Sequence, residues 1–375
     1  MKANNPFLIY GYFSPEYFCD REIETAKMLD ALQNERNLML KAPRRMGKTG
    51  LIKNLFYRSG EIEPQSMCFY MDIFSTQNLN DFVRLFAATT LGELDSLSKS
   101  TFTKITKFLK SCRPTISIDS ITNMPTLSLD IAQSKEEATL KEIFEYLNAS
   151  GKKCYIAIDE FQQIKEYPEK GVDALLRSYI QFTPNIHYIF SGSRQHLMDQ
   201  MFIGTNSPFY MSTQNLNIDV ISKDKYYAFA GNFFIANGYR LSNESFDYIY
   251  EKFEGHTWYI QCLLNRLYGY NMNIDNVSVV VSAIAEIVDE YESNYQSYIY
   301  LFKSNALKLL KAIAKEGCVV ELTSGDFITK YKFKAASSVN AALLQLTGKD
   351  VVYLSPKGYI VYDRFLALWL KKQEI

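Results

Sequence analysis

Short apolar runs of strand length alternate along this chain with longer segments whose apolar residues recur every three or four positions. Runs at 38–40, 67–73, 153–160, 187–190 and 215–220 read as strands; the apolar core of 153–160 suits a buried parallel strand covered on both faces. Between them, 20–34, 79–90, 134–148 and 170–181 read as helices. In the first, Ile23, Met28, Leu29 and Leu32 share one face behind Asp20 as cap; Ser134 with Glu137 reads as a capping box for the third. One stretch departs from this rhythm. Residues 115–119 and 127–130 alternate polar and apolar across a loop containing Asn123 and Pro125, which predicts a β-hairpin inserted at about 113–131.

The run at 38–40 leads into Ala42-Pro43-Arg44-Arg45-Met46-Gly47-Lys48-Thr49-Gly50, and a helical pattern follows. Strand, loop and helix in this order form the phosphate loop of P-loop NTPases. Backbone N–H groups around 45–49 make an anion nest at a positive helix end. Lys48 is expected to reach the β- and γ-phosphates, and the Thr49 hydroxyl to ligate Mg²⁺. The loop departs from the usual motif at Ala42, where glycine is the rule. Arg44 and Arg45 are open to two readings: forks for phosphate, or ties from the loop to neighbouring acids.

About a hundred residues downstream, the strand at 153–160 ends in Asp159-Glu160. Carboxylates at the C-terminal edge of a parallel strand sit where open α/β sheets bind ligands. Asp159 is expected to hold Mg²⁺ through its water shell, and Glu160 to act as general base on the attacking water. Asp72 is open to a structural or a nucleotide-facing role.

These motifs, with Phe18-Cys19-Asp20-Arg21-Glu22-Ile23-Glu24 ahead of them and Ile189-Phe190-Ser191-Gly192-Ser193 after, resemble the archaeal-type ATPase family. That family is a branch of the AAA+ and signal-transducing P-loop ATPases. Gly358 to Phe365 with Trp369-Leu370 resembles its C-terminal winged-helix signature, so the similarity spans nearly the whole chain. The resemblance implies an α/β P-loop NTPase sheet of AAA+ type, a helical lid and a winged-helix domain. It also implies ATP or ADP with Mg²⁺ as ligands, and Tyr17, Phe18 and Arg21 flanking the adenine. Ser193 falls at the γ-phosphate sensor position, where AAA+ proteins more often carry Asn. Arg194 falls where an arginine finger would act, in cis or toward a neighbouring subunit, against the plainer reading of a solvated arginine; Arg177 is its rival. The lid segment 255–259 carries neither a Gly-x-Pro nor an arginine sensor, and His256 is open to a nucleotide contact or a packing role.

The expected division is a core at 1–221, a lid at 222–303 and a winged helix at 304–375. After Ser222 the helices turn tyrosine-rich, with Phe246, Ile249, Tyr250 and Phe253 on one face. From about 304, three short helices precede strands at 351–354 and 359–361 around a Ser355-Pro356-Lys357-Gly358 turn. The domain carries Lys330, Lys332, Lys334, Lys349 and Lys357, but the third of these helices, at 337–347, offers only Asn340 and Gln345 as base readers, so docking of a protein partner or intramolecular packing stands beside DNA contact.

Composition narrows the rest. With 41 basic and 41 acidic residues the net charge is zero, so any DNA contact needs a local patch. Six scattered cysteines and three dispersed histidines give no zinc or disulfide framework and point to a reducing compartment. No apolar stretch is long enough to cross a bilayer, and the expectation is a cytoplasmic protein, with homo-oligomer formation open. No Asn-Lys-x-Asp motif specifies guanine, which favours ATP. The expected activity is Mg²⁺-dependent ATP hydrolysis driving a conformational switch. The alternatives are a nucleotide-gated switch with little turnover and a DNA-binding regulator.

Overall fold

The computed structural model describes residues 3–94, 98–118 and 125–373. The chain forms two compact units, one running to Tyr226 and taking in His256–Trp258, the other made of Tyr227–Gly255 and Tyr259 onward. In the first unit the elements are α1 (Glu22–Gln33), β1 (Leu38–Lys41), α2 (Lys48–Ile62), β2 (Met67–Asp72), α3 (Leu79–Leu94), α4 (Lys99–Phe108), β3 (Cys112–Ile118), β4 (Pro125–Ile131), α5 (Glu136–Ala149), β5 (Cys154–Asp159), α6 (Val172–Ile180), β6 (Ile186–Gly192), α7 (Gln195–Phe202) and β7 (Gln214–Asn217).

Five strands make one parallel sheet in the order β2-β5-β6-β1-β7. The strand before the phosphate loop and the strand ending in Asp159 are therefore separated by β6, whose end carries Gly192 and Ser193. Side chains alternate across each strand, and the two faces build two cores. Leu38, Leu40, Tyr155 and Ala157 pack with Leu51, Ile52 and Leu55 of α2. Met39, Phe69, Met71, Ile156 and Ile158 pack with Phe86, Ile143 and Phe190 on the other side. Each fully buried Leu, Ile or Phe contributes about 1.5–3 kcal/mol relative to exposure, which fixes the strand ends as a rigid edge. Strands β2 and β5 pair with Asp72 opposite Asp159 and Tyr70 opposite Ala157. Alternation then sets Tyr70 and Asp159 on the α2 face.

Strands β3 and β4 form a separate antiparallel pair, with Leu127, Leu129 and Ile131 buried beside α3. Its turn, including Asp119 and Asn123, lies outside the described residues. Two expected caps are corrected. Helix α1 starts at Glu22 behind Arg21, which is left-handed at φ 77°, while Asp20 (φ 56°) turns its carboxylate to Lys225 at 2.6 Å. Helix α5 starts behind Lys135 with no side-chain cap, and Ser134 lies outside the helix at φ 65°. A two-turn 3₁₀ segment, Phe161–Glu166, follows Glu160 directly. The strand expected at 215–220 ends at Asn217, beyond which Ile218 N–H still donates to Lys41.

Two helices straddle the unit boundary, α8 (Lys223–Ala236) and α10 (Thr257–Gly269); the second unit continues with α9 (Asn243–Lys252), α11 (Val277–Glu290), α12 (Glu292–Ile299), α13 (Ser304–Glu316), α14 (Gly325–Lys330), α15 (Ala336–Gly348), β8 (Val352–Ser355), β9 (Gly358–Val361) and α16 (Arg364–Lys371). Phe246, Ile249 and Phe253 are buried on one side of α9 as the period requires. Three helices and a hairpin from α13 to β9 form a winged helix, with Val319 bridging to Tyr359. Gly358 (φ 135°) is required there, because a Cβ would stand 2.7 Å from the Val319 carbonyl oxygen. Asp363 caps α16 by accepting from the Phe365 and Leu366 N–H groups. No described helix is long and apolar enough to cross a membrane, and the six cysteines are free thiols.

Candidate active site

The loop between β1 and α2 curls because two of its residues adopt left-handed backbone, Arg45 at φ 64° and Gly47 at φ 90°. A left-handed non-glycine residue costs about 1–3 kcal/mol, so Arg45 is held there by its surroundings. Part of that hold is visible: the Trp258 N–H donates to the Arg45 carbonyl at 3.1 Å, and the Arg45 guanidinium lies 4.2 Å from the Trp258 ring centroid. The Tyr226 hydroxyl donates to the Thr257 carbonyl at 3.2 Å, seating segment 256–258 on the same unit.

Lys48 is 6% exposed and folds back on the loop, donating to the carbonyls of Ala42 (3.0 Å) and Pro43 (3.2 Å). Burial pushes its ammonium below the usual lysine range, and the charges of Asp159 and Glu160 pull it back up. An entering polyphosphate offers this head a stronger partner than two neutral carbonyls. Met46 is buried in the α2 core, Pro43 lies half-buried in the curl, and Thr49 is exposed at the helix start.

Three donors converge on Asp159. Thr49 Oγ1 and the Tyr70 hydroxyl each donate to Oδ2 at 2.8 Å, and the Glu160 N–H donates to Oδ1 at 3.0 Å. Burial first, then the Asp159 charge, holds the Tyr70 phenol well above its ordinary value, so it remains a donor. Asp72 stands opposite Asp159 and accepts from the Phe74 N–H at 2.9 Å; burial raises its carboxyl above the usual range.

Glu160 is itself left-handed (φ 55°), which turns its side chain from the strand toward β6. There Oε2 accepts from Ser193 Oγ at 2.7 Å and from Gln162 Nε2. Ser193 Oγ in turn accepts from Arg44 Nε at 3.2 Å, so the loop, the acid and the β6 end form one chain of hydrogen bonds. Arg194 is ion-paired with Glu166 at 2.9 Å, and Arg177 donates to Gln181, the residue that closes its helix.

The residues expected beside the adenine divide. Phe18 packs its ring over Gly50, 3.0 Å from where a Cβ would stand, so residue 50 must be small. Tyr17 is buried and its hydroxyl accepts from the Ala3 N–H. Arg21 is 4% exposed and holds the Asp219 carbonyl at 2.6 Å and Glu24 at 2.8 Å, a bracing position. Tyr70, Gln162 and Trp258 carry no expected role in the sequence; only the register of β2 on β5 brings Tyr70 to the site.

Residues 18–263 match the family described as an ATPase domain predominantly from Archaea. The chain belongs to this archaeal ATPase family. Residues 293–372 match a second family, described as "Probable winged helix domain". Among solved structures, the Walker-type ATPase of Pyrococcus abyssi is similar at 17% identity, over 98% of this chain and 99% of that one, with a TM-score of 0.66. The ORC2 protein of Aeropyrum pernix, solved with ADPNP and ADP, is similar at 15% identity, over 99% and 96%, with a TM-score of 0.60. No curated protein matches the sequence. At these identities the structural likeness is one of fold: an α/β P-loop NTPase sheet, with a C-terminal winged helix, as the family resemblance implied.

Proposed function

We propose that this member of the archaeal ATPase family binds ATP with Mg²⁺ and hydrolyses the β–γ phosphoanhydride bond. The observation that carries the reading is the meeting of Thr49 Oγ1 and Asp159 Oδ2 at 2.8 Å beside a buried Lys48, with Glu160 next in the chain. Two hard oxygens at one point suit Mg²⁺, which takes few protein ligands and keeps its waters. Among the described residues no group of three or more His, Cys, Asp or Glu gathers to hold a metal ion, so a cation here would need phosphate oxygens and water to complete its shell. When bound, Mg²⁺ would neutralise charge on the phosphate oxygens.

The chain's own residues supply the remainder. The curl at 43–50 would cradle the phosphates with the N–H groups of Arg44, Arg45, Met46 and Gly47, while Pro43, which has no N–H to offer, would fix the backbone where the loop leaves β1. Lys48 would exchange its carbonyl partners for phosphate oxygens and offset the charge developing on the transferred phosphoryl. Glu160 would accept a proton from water as its oxygen bonds the γ-phosphorus, while the β–γ bridging oxygen leaves with the bonding pair on ADP. Ser193 would orient Glu160. Phe18, with Tyr17 behind it, would border the base, and Arg21 would act by bracing the segment after β7 through the Asp219 carbonyl. Arg194 would serve as finger only after leaving Glu166.

A second reading, a switch that holds nucleotide and turns over slowly, is favoured by one feature. Glu160 is tied by Ser193 and Gln162, and Arg194 by Glu166. Purified protein separates the two. Steady phosphate release that disappears in Glu160→Gln and requires Lys48 supports hydrolysis, whereas copurified nucleotide without turnover supports the switch.

The winged helix favours a protein partner over DNA. The exposed stripe of α15 is Ser337, Asn340, Ala341 and Leu344, which carries no positive charge for a phosphate backbone. Duplex DNA binding with a steep salt dependence would reverse this preference.

A further inference from the structure

We propose that Tyr70 is a positioning residue for the metal-holding carboxylate: its hydroxyl fixes the Asp159 side chain in the orientation that receives Mg²⁺ beside Thr49. This rests on the nucleotide reading above and names a residue that no motif contains.

Oδ2 of Asp159 takes two hydroxyl donors, Thr49 and Tyr70, each at 2.8 Å, and Oδ1 takes the Glu160 N–H at 3.0 Å. The three holds differ in kind. Thr49 sits exposed at a helix start, and its oxygen has a second duty if it turns a lone pair to a cation. The Glu160 amide belongs to a residue strained into left-handed backbone. Tyr70 alone among the three comes from mid-strand, where the β2–β5 register fixes its backbone against Ala157, two residues before Asp159.

The tyrosine ring is held as well. Lys53, one turn after Thr49 on α2, places its ammonium 4.0 Å from the Tyr70 ring centroid. Helix α2 thus grips both sides of the Tyr70–Asp159 pair, with Thr49 on the carboxylate and Lys53 on the ring. A phenylalanine would fill the same space between the sheet and α2. What the hydroxyl adds is a fixed hydrogen bond to the site carboxylate, the role second-layer groups play around metals, where their removal costs about 10–100-fold in affinity or activity.

The test is nucleotide binding, read by a fluorescent ADP analogue titrated with Mg²⁺ and, separately, in EDTA. In the wild type Mg²⁺ tightens binding, and Asp159→Asn loses that tightening. Tyr70→Phe is expected to raise the Mg²⁺ midpoint by about tenfold while leaving affinity in EDTA unchanged. An unchanged midpoint overturns the proposal and leaves the ATPase reading intact. An equal loss of affinity in EDTA also overturns it, since Tyr70 would then only support the fold. Wild-type protein that binds nucleotide without any Mg²⁺ effect would sink the metal assignment of Asp159 and this role together.

Discussion

The guanidinium of Arg45 lies 4.2 Å from the centroid of the Trp258 ring, while the Trp258 N–H donates to the carbonyl of the same Arg45 at 3.1 Å. One residue of the phosphate curl is therefore gripped through both its side chain and its backbone. The guanidinium is also the group a polyphosphate would draw away, because an anion outbids an aromatic face for it. Trp258 emission is expected to shift when ADP or ATP binds, measured with Trp369→Phe to silence the second tryptophan. Arg45→Ala should abolish the shift and lower stability by about 0.5–1 kcal/mol, the range for an exposed cation–π pair. A full-sized shift in Arg45→Ala would show that Trp258 reports something other than this contact.

The bond from Ser193 to Glu160 sets the next expectation. Removing a general base lowers turnover by about 10²–10⁴-fold, so Glu160→Gln should bind nucleotide and nearly cease to hydrolyse it. Ser193→Ala leaves the acid present but loose, held by Gln162 alone of the two side chains. Its kcat should fall by about tenfold, equivalent to ~1.4 kcal/mol, with little change in KM. A drop as large as that of Glu160→Gln would mean Ser193 touches the reacting phosphate itself.

Legibility followed distance along the chain. Lys48 with Thr49 open the helix that follows the loop after β1, and Asp159 with Glu160 close β5; both strands are marked by apolar runs, so the residue types and their places could be read locally. Tyr70 could not be read, because a tyrosine inside a buried strand has the signature of core packing, and its partner is set by the register of two strands far apart in sequence. Helix α4 was legible but unread: Phe102, Ile105 and Phe108 recur at three-residue spacing and pack on the core, and Ser98 caps the helix by accepting from the Thr101 N–H at 3.2 Å, two local signals hidden by the Ser- and Thr-rich composition around them. Asp20 and Ser134 have the right chemistry for caps but sit in left-handed backbone, at φ 56° and 65°. At Asp20 a distant lysine, Lys225, takes the carboxylate.

Gly192, the last residue of β6, tests how closely the site is fitted. A Cβ there would stand 2.3 Å from Gln162 Oε1 and 2.6 Å from Met198 Sδ. Gln162 Oε1 ends a flexible side chain, but Met198 is fully buried and is met at Cγ (2.7 Å) as well as Sδ, so Gly192→Ala should fold with a loss of about 1–3 kcal/mol from overpacking. Gln162, however, can yield only by leaving its place beside Glu160. Turnover should therefore fall more steeply than Tm, and a variant that keeps wild-type kcat would show that Gln162 does not steady the base.

His187 gives the fold a pH dependence whose direction is fixed by burial. It lies on β6 at 5% exposure, facing the Tyr155 ring, and burial first, then the Lys153 charge, lowers its pKa below the ordinary 6.5; Glu35 and Glu63 oppose this more weakly. The unfolded chain thus takes up a proton before the folded one as pH falls from about 6.5, and stability rises with pH wherever the unfolded state binds more protons. Acidification through that window should destabilise the first unit, with the loss complete below the folded value. Glu63 acts elsewhere: burial raises its carboxyl, but bonds from Tyr155 and Lys153 outweigh this and lower it, so its contribution is present above its ordinary 4.5 and fades below. Urea unfolding of His187→Gln should consequently show a flatter slope between pH 7.5 and 5.5 than the wild type, with the acid limb below pH 4.5 preserved. Identical slopes in the upper window would mean that His187 keeps its proton affinity on folding.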